Sequence, residues 1–479
     1  MMYRLVIFIM FYLPFVVFGQ SLSQTFDKIF SLSCFKYASV AAIVVDLNSG
    51  DTLYERNSHL LLQPASTLKL MTTAAALQTL GENYRFKTLL QYTGIIKDSV
   101  LYGDLYIKGF GDPTLGSRYF EATDNHNFLS NWVNAIKRAG IKRIKGKIIA
   151  DASIYGWQVI PGKWAWEDIG NYYGAAPTAL TILDNAYVIH FRTGKYSGAP
   201  TYITKITPYI PNLSIKNYVR TANIHSDQAY IYGAPYTYQR IVKGRLPKYK
   251  RDFKVKGSMP DPPLYAAYML FDTLKKTGIL ADTFTTIRIL GDTNLIYNAR
   301  KTLYTGLSLP LREIVIKTNR KSINLFAELL LRAIALRLND KPDADNAPQA
   351  LIDFWLDKGI PDTIQIYDGS GLSAYDAVSA ADLLFVLTYM YKSNHFNTFK
   401  QSLPVAGVYG TLKSYCRKCS AKGKVFAKTG TLRRTKAFAG YVFDDNRSLA
   451  FVIIVNHYRC RSRIAKIYFE RLLCALGSL

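Results

Sequence analysis

Long apolar runs are scarce in this chain. Beyond the N-terminus of its 479 residues no apolar stretch reaches 18, which excludes a polytopic membrane protein. The six histidines are scattered without ligand spacing, which removes the usual imidazole metal centres. Only five cysteines occur (Cys34, Cys416, Cys419, Cys460 and Cys474), too few for a disulfide scaffold. Their odd number leaves at least one thiol free or paired between chains. Cys416-Arg-Lys-Cys419 is open to a redox pair, half a zinc site or a tight disulfide. With no second CxxC, a structural or incidental role is expected and no metal. Acidic residues are also few: 34 Asp and Glu stand against 60 Lys and Arg, a net charge of +26. That balance suits nucleic acid, an acidic envelope or an acidic substrate, and charge alone does not choose.

What is present points to a large folded protein. Hydrophobic residues make up 49% and charged ones 20%, enough for a buried core, and the length suggests about three compact units. The basic start ending at Arg4, the apolar run 5–18 and the small Gly19 read as a signal peptide over 1–19, cut after Gly19. An uncleaved anchor is the bland alternative, disfavoured because the run is short for a span. An exported, periplasmic or otherwise extracytoplasmic protein follows, which weakens a nucleic-acid reading.

After that segment the pattern predicts a helix over 23–35 and a hairpin from strand 41–46 through Asn48-Ser-Gly-Asp51 to strand 52–55. A helix over 66–80 has Pro64 before it and Gly81 at its stop. From 84 to 257 short strands rich in Val, Ile, Tyr and Thr dominate, with one helix near 127–139. Residues 240–256 hold eight Lys or Arg and one acid, read as a solvated basic strand pair. A plain exposed face is as good an account of it as a polymer-binding stripe. Helices return at 263–278 and 322–338, and the chain ends strand, strand, strand, helix at 425–432, 437–443, 449–456 and 464–476. An interrupted domain is predicted: 20–86 joined with 258–479, enclosing a β-rich insertion over 87–257 that forms two small domains.

Three short motifs carry chemistry. Ser66-x-x-Lys69 puts a hydroxyl and an amine on one helix face, and a serine needs such an adjacent base. Ser33-x-x-Lys36 also matches but lacks a comparable small-residue helix. Lys428-Thr429-Gly430, continued by Thr431, ends a predicted strand, where a cation and hydroxyls can hold a carboxylate while glycine admits a substrate backbone. Lys276-Thr277-Gly278 has the same letters but reads as a helix stop. Ser322-Ile323-Asn324 opens a helix, and taken alone Ser322 reads as a cap.

In this order the motifs form the set found in β-lactamases and penicillin-binding proteins, with Ile323 in place of the usual acid. The flanks Gly103-Asp-Leu-Tyr-Ile-Lys-Gly-Phe-Gly-Asp-Pro113, Trp164-Ala-Trp-Glu-Asp168, Asn324-Leu-Phe-Ala-Glu328, Asp368-Gly-Ser-Gly-Leu-Ser373, Leu403-Pro-Val-Ala-Gly407 and Ala427-Lys-Thr-Gly-Thr-Leu432 extend the likeness. Together they resemble the D-alanyl-D-alanine carboxypeptidase/endopeptidase family, the class C low-molecular-mass penicillin-binding proteins. The 256 residues between Ser66 and Ser322 fit a family with a long insertion after the nucleophile helix.

The resemblance implies an α/β fold: a penicillin-binding or serine β-lactamase-like domain, an antiparallel five-stranded sheet flanked by helices, with the large β-rich insertion. It implies a serine peptidase without cofactor acting on peptidoglycan stem peptides, with β-lactams as covalent inhibitors. Ser66 would be the nucleophile, Lys69 its base, and Ser322 a proton relay, with the Lys428 field holding the Lys69 pKa down. Asn324 would meet the substrate amide, Thr429 and Thr431 the terminal carboxylate, and Gly430 the approaching backbone. The N–H groups of Ser66 and Thr431 would form the oxyanion hole. Asp168 and Tyr173 match family positions for the amine of a diaminopimelate side chain. Ala374 stands where an Arg usually meets its carboxylate, so Arg433 or Arg434 is expected to substitute. The surplus charge fits peripheral contact with an anionic envelope or membrane surface. A β-lactamase and an inactive polymer-binding relative are the competing readings.

Overall fold

The computed structural model describes residues 21–123, 127–296, 299–338, 340–444 and 447–479; the expected signal peptide lies outside them. At its centre is a five-stranded antiparallel sheet in the order Val425–Leu432, Thr435–Phe443, Ser448–Asn456, Ser39–Asp46, Thr52–Arg56. Strand alternation sorts its side chains into two cores. Val40, Ala42, Val44, Phe451, Ile453 and Val455 point toward the first helix, Leu22–Phe30, and the last, Ser462–Leu476. Ala41, Ile43, Val452 and Ile454 point the other way, into the core shared with helices Lys69–Leu80, Asn324–Arg337 and Ala380–Tyr391. The strand Ser448–Asn456 is therefore buried on both faces, which explains its unbroken apolar run.

Helix Lys69–Leu80 is enclosed nearly all round, and Ala74, Ala75 and Ala76 let its neighbours come close. A 3-10 turn, Ala65–Leu68, precedes it and carries the serine. The other predicted elements are found with ends shifted by a few residues, and Lys276-Thr277-Gly278 does terminate the helix Pro262–Lys276.

The insertion differs from expectation in extent. The sheet that holds strand Lys87–Tyr92 does not close at 257. Strands Leu280–Thr286 and Lys301–Leu307 pair with Arg143–Asp151 and Lys87–Tyr92, inside a seven-stranded sheet of the insertion. The helix Pro262–Lys276 packs on that sheet as well. Helical periodicity at 263–278 revealed an apolar face but not which core would receive it. Exit and entrance meet, since Ser308 N donates to Phe86 O at 2.9 Å and Leu311 N to Tyr84 O at 2.8 Å.

The basic stretch is not a strand pair either. Gln239–Pro247 is the middle strand of a three-stranded sheet with Ser214–Ala222 and Gln228–Tyr232, whereas Phe253–Ser258 belongs to another with Ala186–Arg192 and Tyr202–Thr207. Arg240 is buried, its guanidinium donating to the Thr237 carbonyl at 2.5 Å. Inward alternation on a half-covered sheet overrides its charge.

Two disulfides, Cys34–Cys460 and Cys419–Cys474, join the chain ends to the sheet's flank, and Cys416 is the buried free thiol. The Cys416–Cys419 pairing is thus not formed. No helix among the described residues is long and apolar enough to cross a membrane.

Candidate active site

Ser66 sits half-exposed on its turn, with Lys69 fully buried one helical step below. The Lys69 ammonium contacts Ser66 Oγ at 2.9 Å and donates to Asn324 Oδ1 and the Ser370 carbonyl, each at 2.6 Å. From the far wall, buried Lys428 donates to Ser322 Oγ at 2.8 Å and to the Thr429 carbonyl at 2.7 Å. Ser322 is no N-cap. It ends the helix Leu311–Lys321 in the left-handed region (φ 57°), and that kink turns its hydroxyl toward Lys428. Ile323 precedes the next helix, which leaves Asn324 in the first turn with its amide on the Lys69 amine.

The electrostatics depart from the sequence expectation. Burial lowers the Lys69 pKa to about 8, while Asp368, Glu328 and Asp376 oppose the drop. Lys428 is pushed well below its ordinary value, first by burial, then by Lys69 and Lys436. Desolvation, not the Lys428 charge, is therefore the chief cause at Lys69. Acidic neighbours oppose burial at Lys69, whereas at Lys428 two further ammonium groups add to it.

Two hydroxyl–amine pairs, drawn from distant parts of the chain, thus meet across one crevice. The chain matches the D-Ala-D-Ala carboxypeptidase 3 (S13) family over residues 22–469. It belongs to that family. Among relatives, D-alanyl-D-alanine carboxypeptidase DacB of Haemophilus influenzae is 26% identical over 438 residues, covering 88% of this chain and 86% of the relative. The D-alanyl-D-alanine carboxypeptidase of Actinomadura sp. is 27% identical over 457 residues, covering 91% and 81%. In fold, penicillin binding protein 4 of Haemophilus influenzae, also solved with a β-lactam, superposes with a TM-score of 0.79 at 24% identity, over 94% of this chain and 98% of the other. This S13 peptidase is thus a serine-type D-Ala-D-Ala carboxypeptidase by family.

In the S13 peptidase two glycines clamp the turn that carries Ser66. A Cβ on Gly371 (φ 72°) would lie 1.9 Å from the Ala65 carbonyl oxygen, and one on Gly430 would lie 2.5 Å from that of Pro64. Gly371→Ala therefore has to shift the turn as well as strain its own backbone. We expect it to cost about 2–4 kcal/mol and to slow penicillin acylation. Chemical denaturation and stopped-flow acylation measure the two, and wild-type values in both would refute the clamp.

The strand Val425–Leu432 forms the sheet edge. Its outer side is covered only at the start, where Ala406 N donates to Val425 O and Ala427 N to Pro404 O, both at 2.9 Å. Since alternate residues point the same way, the main-chain groups of Thr429 and Thr431 face the uncovered edge. Thr429 Oγ1 donates to Thr411 Oγ1 at 2.8 Å, and Lys436 Nζ donates to Thr431 Oγ1 at 2.7 Å.

Asp168 and Tyr173 lie together, the Tyr173 hydroxyl donating to Asp168 Oδ1 at 3.0 Å. Burial raises the Asp168 pKa, and the Tyr173 carbonyl accepts from Asn324 Nδ2 at 2.9 Å. Arg434 is committed elsewhere: its guanidinium donates to the carbonyls of Arg459 and Cys460 at 2.9 and 2.8 Å. Arg433, beside it in the hairpin turn, is exposed.

Sequence reasoning missed the floor of the site. Asp368 accepts four backbone N–H bonds from residues 370–373 at 2.5–3.0 Å and the Trp164 indole at 2.7 Å. This fixes the loop whose Ser370 carbonyl meets Lys69 and whose Gly371 backs Ala65. Glu328 accepts from Gly369 N at 3.1 Å, and burial raises its pKa to about 8. An Asp followed by Gly-Ser-Gly is the available signal for such a backbone-gathering carboxylate. Lys436 was missed because its relation to Thr431 is a cross-strand register, not a spacing.

Proposed function

We propose that Ser66 is acylated by the penultimate D-Ala carbonyl of peptidoglycan stem peptides, and that the enzyme works outside the cytoplasm. The observation that carries this reading is the Lys69 amine held between Ser66 Oγ and Asn324 Oδ1, opposite Lys428 on Ser322. Neutral Lys69 takes the Ser66 proton as Oγ bonds to the carbonyl carbon. The main-chain N–H groups of Ser66 and Thr431 stabilise the oxyanion. Ser322 passes a proton to the leaving amine as the C–N bond breaks, and water then hydrolyses the ester.

The substrate itself frees the base. Its terminal carboxylate, held by Thr429, Thr431 and Lys436, favours positive charge on Lys428. Two ammonium groups that close disfavour each other, so Lys69 yields its proton. Penicillin, with a carboxylate and a strained amide in the same relation, acylates the same oxygen.

Asp168 and Tyr173 receive the amine of a diaminopimelate side chain and Arg433 its carboxylate, with Arg434 engaged on backbone carbonyls. Arg433→Ala is expected to raise KM for diaminopimelate-containing muropeptides about tenfold, one lost charged contact, and to leave penicillin acylation unchanged. Steady-state kinetics on paired substrates with and without the diaminopimelate carboxylate decide it, and an unchanged KM removes Arg433 from the subsite.

Product analysis on defined muropeptides tests the activity. Free D-Ala reports carboxypeptidase action, and conversion of cross-linked dimers to monomers reports endopeptidase action. Neither product from folded, penicillin-reactive enzyme would defeat the assignment of substrate.

A further inference from the structure

The sheet formed by Ser214–Ala222, Gln239–Pro247 and Gln228–Tyr232 has one face packed inward and one bare. Val219, Thr221, Val242, Leu246, Ala229 and Ile231 fill the inner face. The strand registers set the outer face in three rows. Lys216 lies beside Ile241 and Tyr232, Tyr218 beside Lys243 and Tyr230, and Arg220 beside Arg245 and Gln228. Neighbours within a row are about 4.8 Å apart by strand spacing. Lys216, Arg220, Lys243 and Arg245 are all exposed, and no ion pair holds any of them among the described residues. Tyr218 is 57% exposed and Tyr230 41%.

This arrangement is unfavourable for the isolated chain. Like charges directly opposite on a sheet destabilise it, yet Arg220 and Arg245 are register partners with no carboxylate in their row. Asp227, at the edge, is bound to the Ala229 N–H. A partner bearing regularly placed anions would relieve the repulsion, and the tyrosine rings between the cations offer flat amphipathic surfaces to sugar rings.

The face also adjoins the segment 166–173. Tyr232 and Trp166 have ring centroids 6.5 Å apart. Ile231 N donates to Asn171 Oδ1 at 3.1 Å, and a Cβ on Gly170 would lie 1.9 Å from the Ile231 carbonyl oxygen. The strand is therefore fastened to the segment that carries Asp168 and Tyr173, whose carbonyl holds Asn324. The rows are thus connected to Asn324 through a short chain of contacts.

We propose that this face is a platform for polymeric peptidoglycan, a glycan strand whose further stem-peptide carboxylates meet the four cations while the tyrosines lie against its sugars. The proposal rests on the peptidase reading and adds to it a site for the uncleaved part of the polymer. A lipid surface fits less well, because Ile241 is the one aliphatic side chain in the rows.

The test uses the full chain carrying Ser66→Ala, so that the probe is not digested, and measures cosedimentation with insoluble peptidoglycan sacculi. The charge reversal Lys216→Glu, Arg220→Glu, Lys243→Glu and Arg245→Glu is compared with the milder four-fold Gln variant and with Tyr218→Ala. Reversal is expected to weaken retention by about tenfold or more, the Gln set and Tyr218→Ala by several-fold, and added salt to lower the parent's retention. With Ser66 restored, all variants should release D-Ala from a soluble stem pentapeptide and take up penicillin within about twofold of the parent. Retention within twofold of the parent for the reversal and the Gln set overturns the platform. So does loss confined to phosphatidylglycerol vesicles with sacculus binding intact. If the Ser66 enzyme neither releases D-Ala nor takes up penicillin, the peptidase reading falls instead, and the sacculus assay still decides the platform.

Discussion

Ser66→Ala yields a folded protein that takes up no fluorescent penicillin and releases D-Ala at a rate lower by about four orders of magnitude or more. The half-exposed Ser66 hydroxyl is the one oxygen that contacts the Lys69 amine from the solvent side; the other two, Asn324 Oδ1 and the Ser370 carbonyl, are amide oxygens and poor nucleophiles. Removing it leaves the oxyanion donors and the base in place with nothing to activate. The fold should survive, because Oγ supports no helix and its loss opens only a hydroxyl-sized gap at the surface. Lys69→Ala should abolish labelling to a similar degree while also destabilising the chain, since it removes a buried amine that ties the helix to Asn324 and to the Ser370 loop. Gel fluorescence after penicillin labelling, with circular dichroism as the control for folding, measures both. Normal labelling of Ser66→Ala would end the assignment of the nucleophile.

The second large effect is on pH dependence. With the Lys69 pKa near 8, only about 1% of the amine is neutral at pH 6 and half at pH 8. In the proposed mechanism the neutral form is the base, so the second-order rate of penicillin acylation should rise with pH, roughly 50-fold between these values, and level off above. The sign follows from the cause: burial disfavours the charged amine, and the three carboxylates beneath it keep the drop from going further. A profile flat from pH 6 to 8.5 would show that Lys69 is not the proton acceptor.

Much of this site could be read from the chain because its chemistry is written in short local spacings. Ser66 and Lys69 are one helical step apart, Ser322 and Asn324 flank one kink, and Lys428 to Thr431 occupy one strand end. The unbroken apolar runs 40–45 and 449–455 likewise mark strands covered on both faces, whatever the neighbours are. What could not be read depends on pairing between remote segments. The return of Lys301–Leu307 to Lys87–Tyr92, the separation of the basic stretch into two sheets and the approach of Lys436 to Thr431 are all of this kind. The unlike surroundings of the two lysines are another, because Asp368, Glu328 and Asp376 reach Lys69 from helix and loop segments far along the chain. Asp368 was visible as part of a resemblance, but its work on four consecutive N–H groups appears only when the loop is seen folded around it.

The junction between Phe86 and Ser308 has a bearing on how such a chain can vary. The excursion leaves and rejoins within one hydrogen bond, and its first and last strands pair there in the register Leu307 to Lys87, so its departure and arrival points stay side by side. Residues can be added or lost between them without changing how far the nucleophile turn stands from the kink that presents the second serine. Loop-closure entropy grows only logarithmically with length, so the thermodynamic penalty for such variation is small. The lobes are thus free to diversify around an unaltered reaction centre, provided they keep the contacts that dock them on it: the Tyr173 carbonyl on Asn324, the Trp164 indole on Asp368 and the Phe120 ring on Phe326.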